Sequence, residues 1–224
     1  MSDFRIFAEQ FNVGRSVDGW RAARGLRDGS LVTVPWYQAL VFEGRCFGMH
    51  GGSVTTPMAG HAAIDADQPE GSIYIATTGV SLVPLYIMMA METGATTLAQ
   101  GGMMAAISNI NVGAGTSTAF TPFNLKMTSV GYSVAASAAV TYTGNGTDPL
   151  TAGNFLEIDR VSAVIDADAA TSGIVPPVLK WGVGDALLAP MVEDVGSILA
   201  YGEAAANTLY LTMFWAELPS SAFS

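Results

Sequence analysis

The chain has 224 residues, half of them hydrophobic and only 12% charged, with a net charge of −10. That length suits one large β domain or two small ones, and a charge fraction about half the roughly 25% usual in soluble domains leaves a neutral surface suited to extensive protein contact. The acidic balance argues against general binding to nucleic acid or anionic membrane, because phosphate binding draws its affinity from clustered Lys and Arg, and with Cys46 the only cysteine no intrachain disulfide can form.

At the start of the chain, Phe4, Phe7, Ala8 and Phe11 follow Ser2 and Asp3 at near-helical spacing, which predicts either a short capped helix or an extended arm. A basic region followed by an apolar run is missing there, so no signal peptide is expected. Arg15, Arg21, Arg24 and Arg27 then alternate with Gly14, Gly19, Gly25 and Gly29, a poor pattern for a core strand. Residues 1–45 hold six basic side chains against five acids, and the remainder holds three against fourteen, giving +1 and −11. Residues 1–30 are therefore read as an N-terminal arm, either solvated or docked on a partner.

From residue 31 to 224 the pattern is that of a β-sandwich. The run from Leu31 to Phe42 reads as a strand with an edge or a bend at Pro35. The uncharged stretch from Gly71 to Met91 is long enough to span a bilayer, but Thr77, Thr78, Gly79, Ser81 and Pro84 make it two strands and a turn. Shorter strands are expected in 105–111, 119–125, 132–142, 157–165 and 178–181, separated by Gly113-Ala-Gly115, Gly144-Asn-Gly146 and Pro176-Pro177. Residues 185–199 are the one later stretch that could be helical, limited by Pro190.

The last apolar run, from Asn207 to Leu218, organises the rest. Leu209, Leu211, Met213 and Trp215 fall on one face at period two, and Tyr210, Thr212, Phe214 and Ala216 on the other, with no charge before Glu217. Leu85, Ile87, Met89 and Met91 oppose Tyr86, Met88 and Ala90 in the same way. A sandwich covers one face of each strand with its own core, so the second face asks for another cover. Self-association through Tyr86, Met88, Tyr210, Thr212 and Phe214 is the expectation, as a homo-oligomer and most simply a trimer.

Chemistry-bearing residues are few. Cys46, His50 and His61 lie close in sequence, and with Asp65 they could hold zinc, but the spacing matches no structural zinc motif; Cys46 reads as a small core residue. Asp65 and Asp67, and Asp166 and Asp168, with Glu70, could offer oxygens to calcium, yet lack the full loop pattern and read as turn aspartates. Gly113-Ala-Gly-Thr-Ser-Thr118 lacks the third glycine and lysine of a phosphate loop. No catalytic residue, metal site or cofactor is assigned, and the chain is read as a non-enzyme.

Gly44-Arg-Cys-Phe47, Val54-Thr-Thr-Pro57, Ile64-Asp-Ala-Asp-Gln-Pro-Glu70, Val83-Pro-Leu-Tyr86, Gly113-Ala-Gly-Thr-Ser-Thr118 and Gly146-Thr-Asp-Pro-Leu-Thr-Ala-Gly-Asn-Phe155 resemble segments of jelly-roll virion proteins of tailed bacteriophages. The resemblance covers most of residues 40–220 and leaves the arm outside. It implies a capsid decoration or cement protein, a trimer with a tumour-necrosis-factor-like sandwich, made in the host cytoplasm and seated on the major capsid protein at the virion surface. On that reading Arg15, Arg21, Arg24 and Arg27 are capsid-binding residues, pairing with surface carboxylates. The alternatives are another virion β protein (head fibre, tail or capsid component) and a carbohydrate-binding module, which would expose aromatic platforms among Trp20, Trp36, Trp181 and Trp215.

Overall fold

The doubly apolar C-terminal run is strand β15 (Thr208–Pro219), and it lies between two other strands near the middle of the larger sheet. The computed structural model describes residues 7–8, 21–22, 35–65, 68–91, 98–106, 116–127, 133, 137–143, 155–164, 178–186, 188–203 and 208–222. In chain order these form β1 (Phe7–Ala8), β2 (Arg21–Ala22), helix α1 (Trp36–Glu43), β3 (Cys46–Gly51), β4 (Met58–Ala59), β5 (Gly71–Ile75), β6 (Val80–Met91) and β7 (Leu98–Ala106). Then follow β8 (Thr116–Ala119), β9 (Phe123–Asn124), β10 (Ser137–Thr143), β11 (Phe155–Val164), β12 (Val178–Gly182), β13 (Val192–Glu193), β14 (Gly196–Glu203), β15 and a final 3₁₀ turn, Ser220–Ala222.

Two antiparallel sheets face each other. One runs β11-β7-β14-β5-β10-β8; the other runs β12-β6-β15-β3-β9, with β13 on β6 and β4 on β15. The fold is thus an all-β sandwich. Its core is supplied from both sides: Ile73, Ile75, Ile198 and Ala200 from the first sheet meet Met49, Ile87, Met89, Leu209, Leu211, Met213 and Trp215 from the second. The four β15 residues are at most 1% exposed, as their period-two spacing predicts. Glu217, the charge that ends the run, is buried but satisfied: Trp215 Nε1 donates to its Oε1 at 2.9 Å, and the Ser133 hydroxyl donates to the same oxygen.

The stretch from Gly71 to Met91 folds as two strands and a turn, with Gly79 at φ +83° in the turn. Elsewhere the structure corrects the sequence reading. Residues 36–42, expected in a strand, form α1. Pro35 precedes the helix and its carbonyl accepts from Gln38 and Ala39, which a residue without an N–H can do at a helix start. Gly44 takes the left-handed conformation (φ +76°), Arg45 N–H bonds Leu40 O and Gly44 N–H bonds Val41 O, the paired bonds of a Schellman stop. The region 185–199, read as a possible helix, instead holds a turn, β13 and the start of β14. Of the two readings of the first residues, a short helix or an extended arm, Phe7 and Ala8 take the extended one and pair with Ala22 and Arg21. Of the arm's four arginines only Arg21 is described, in β2; Arg15, Arg24 and Arg27 lie outside the described residues.

Candidate interaction face

The outer face of the second sheet is divided in two by a bulge. Phe214 pairs with Tyr86 but Trp215 pairs with Pro84, so the register skips Leu85 and the side chains of β6 change sides. Beyond the skip, Val83, Leu85, Cys46, Ala216 and Leu218 form a second cluster on the outer face, covered by Tyr37, Leu40 and Val41 of α1. The helix is fixed there through its C-terminus: Asn124 Nδ2 donates to Gly44 O at 2.7 Å, and Leu125 N donates to Cys46 O at 2.9 Å. Cys46 is the small core residue its isolation in the sequence suggested. Burial, and secondarily the Glu43 carboxylate, pushes its thiol up to about 12.

Before the skip, no described element covers the outer face. Strand register places Lys180, Met88, Thr212 and His50 in one row across β12, β6, β15 and β3. The neighbouring row is Gly182, Tyr86, Phe214, Gly48 and Phe123. Tyr86, Met88, Tyr210, Thr212, Phe214, Phe120 and Phe123 are half-buried, and His50 and Lys180 are exposed. The five residues expected to mediate self-association therefore share one continuous patch, in which Thr212 is directly paired with Met88 and Phe214 with Tyr86.

Glycine shapes this patch. A Cβ on Gly48 would fall 2.7 Å from Phe214 Cδ1 and 3.1 Å from Phe123 Cε2, and one on Gly52 would fall 2.9 Å from Tyr210 Cδ1. The rings therefore lie down over backbone instead of standing off it. His50 extends the aromatic surface, its ring 5.0 Å from Phe120 and edge-on to it, with Phe123 at 6.2 Å. Sequence reasoning did not place His50, Phe120, Phe123 or Lys180 on this face: β3 gave no strand signal, and the strands expected over 119–125 and 178–181 did not indicate which sheet they would join.

Lys180 is the only charged side chain in the two rows, so a partner here meets little charge to desolvate. Beside the patch, α1 is apolar on nearly all sides and turns Trp36 (49% exposed) and Phe42 (58% exposed) outward. Trp181 and Trp215 are buried in the core, so neither serves as a surface platform; Trp20 lies outside the described residues.

The candidate metal residues do not gather: among the described residues no three of His, Cys, Asp and Glu could hold an ion. Cys46 sits under α1, His50 is on the aromatic patch, Asp65 is exposed, and His61 pairs with the buried Glu70. No family model, characterised protein or solved structure matches the chain.

Proposed function

We propose that this chain is a structural virion protein, a trimeric decoration or cement protein on the outside of a phage head. The observation that carries the reading is the aromatic patch that no described element covers, with Lys180 the one charged side chain in its two rows: the kind of surface that a permanent subunit contact covers.

The strand order supports the jelly-roll part of the reading. Numbering the principal strands β3, β5, β6, β7, β11, β12, β14 and β15 from one to eight, the second sheet contains 1-8-3-6 and the first 2-7-4-5. That order is the one produced by two interleaved Greek keys, with β8, β9 and β10 as an insertion between the fourth and fifth strands. In a tumour-necrosis-factor-like trimer the sheet holding the first and last strands faces the threefold axis, where the patch would sit. The N-terminal arginines would then hold the trimer to carboxylates of the major capsid protein. Each exposed pair contributes about 0 to 1 kcal/mol, so attachment would rest on repetition through three arms.

Purified protein added to phage heads stripped of it, and imaged by electron microscopy, tests the reading. A regular array of three-lobed knobs is expected. Heads that stay bare would overturn it.

A further inference from the structure

Glu70 is fully buried, although it carries a carboxylate. β3 and β4 belong to the second sheet and β5 to the first, so the connection from β4 to β5 crosses from one to the other. Glu70 closes that crossover. Its N–H donates to Ala200 O on β14 at 2.8 Å, and its Oε1 accepts the backbone N–H of His61 at 2.8 Å. His61 Nδ1 lies 3.0 Å from the same oxygen, and Oε2 is enclosed with no hydrogen-bond partner among the described residues.

The surroundings leave little else to balance the charge. β14 presents Gly202, where a Cβ would come 3.2 Å from Glu70 Cγ and 3.0 Å from Met89 Sδ of β6, so the carboxylate fills the space a side chain would take. Asp65, on the same connection, is exposed. Among the described residues His61 is the titratable group placed against Glu70. A buried carboxylate without a counter-charge is costly, and an imidazolium at this distance supplies one.

We propose that the His61–Glu70 couple is a titratable latch on the sheet-to-sheet crossover, tightest when the carboxylate is ionised and the imidazole protonated. Protonating Glu70 removes the charge that accepts the His61 backbone N–H and faces Nδ1. Deprotonating His61 at higher pH leaves the carboxylate uncompensated. The latch also bears on the aromatic patch, since the connection leaves from β4, which pairs with β15, the strand that carries Tyr210.

Hydrogen exchange of the amides of residues 61–65, corrected for intrinsic rates and followed across pH, reads the latch directly. Protection should pass through a maximum as the pH is varied and fall about tenfold on either side, the change that corresponds to one pH unit of coupling. Glu70→Gln should flatten the profile. His61→Asn, which keeps an N–H donor near the Nδ1 position but cannot titrate, should lose only the fall on the basic side. An independent reading is the imidazole NMR signal of His61, whose midpoint should move to lower pH by about one unit or more in Glu70→Gln. An unchanged midpoint, or a wild-type exchange profile that already matches Glu70→Gln, would overturn the proposal.

Discussion

The rings of Tyr86 and Phe214 lie 5.8 Å apart, tilted by 32°, on directly paired residues of β6 and β15. The contact is within one chain. It joins two strands that the sequence offered only as separate doubly apolar runs, and it makes their outer residues one preformed surface. A partner that binds here meets rings already held by neighbours and by the glycines beneath them, so little side-chain freedom is lost on contact.

Thr212 sits in the middle of that surface, between Met88 and His50. Placing a carboxylate there puts a charge where two subunits would meet and where only Lys180 shares the row. Thr212→Asp is expected to disperse the proposed oligomer at a cost of several kcal/mol while leaving the fold intact. Light scattering with circular dichroism checks it; an Asp variant with the wild-type mass would show that the patch is not the contact.

Leu211 faces the other way and has no exposed surface. Leu211→Ala should destabilise by about 2–5 kcal/mol in chemical denaturation, through lost burial and the cavity left between the sheets. A loss under about half a kcal/mol would mean that the two sheets do not close over this position.

How much of this the sequence disclosed follows from which signals survive without tertiary context. Strands β6 and β15 were legible because their apolar residues fill both parities of a long uncharged run, and β12 and most of β11 because β-branched and aromatic residues stand between turn signals. Strand β3 was not, since Gly48, His50 and Gly51 carry no strand propensity; they are tolerated because Phe214 and Phe123 pack where Gly48 has no side chain. Helix α1 was misread because an apolar run without a polar face has no helical period, although Gly44 marked its end. The couple of Glu70 with His61, nine residues apart, depends on the crossover geometry, and neither residue signalled the other.

Cys46 gives a pH-dependent prediction. Its thiol is held neutral by burial and titrates at about 12 in place of 9.0, so the folded state binds a proton that the unfolded chain releases first. Stability from this group is full below about 9 and declines as the pH rises toward about 12. At pH 8 the thiol should resist an aromatic disulfide reagent until denaturant is added, because the thiolate is the nucleophile. Rapid labelling of the native protein would show that α1 does not seal this site.

Two glycines, each with a closer contact than a Cβ allows, separate the interaction face from the core. A Cβ on Gly71 would fall 2.3 Å from Leu211 Cδ2 and 3.1 Å from Met49 Cε, both fully buried and enclosed by the opposite sheet. Those side chains have nowhere to go, so Gly71→Ala should cost about 1–3 kcal/mol by overpacking. On Gly48 the clash is at 2.7 Å with the ring of Phe214, which is only half-buried and can swing outward. Gly48→Ala should therefore cost under about 1 kcal/mol in the isolated subunit, where the ring is free to move, yet weaken self-association because the lifted ring spoils a flat surface. Denaturation midpoints at low concentration, read beside the mass distribution by light scattering, distinguish the two effects. Equal losses of subunit stability in both variants would mean that Phe214 is locked in place like a core residue, and that the outer patch is already covered within the chain.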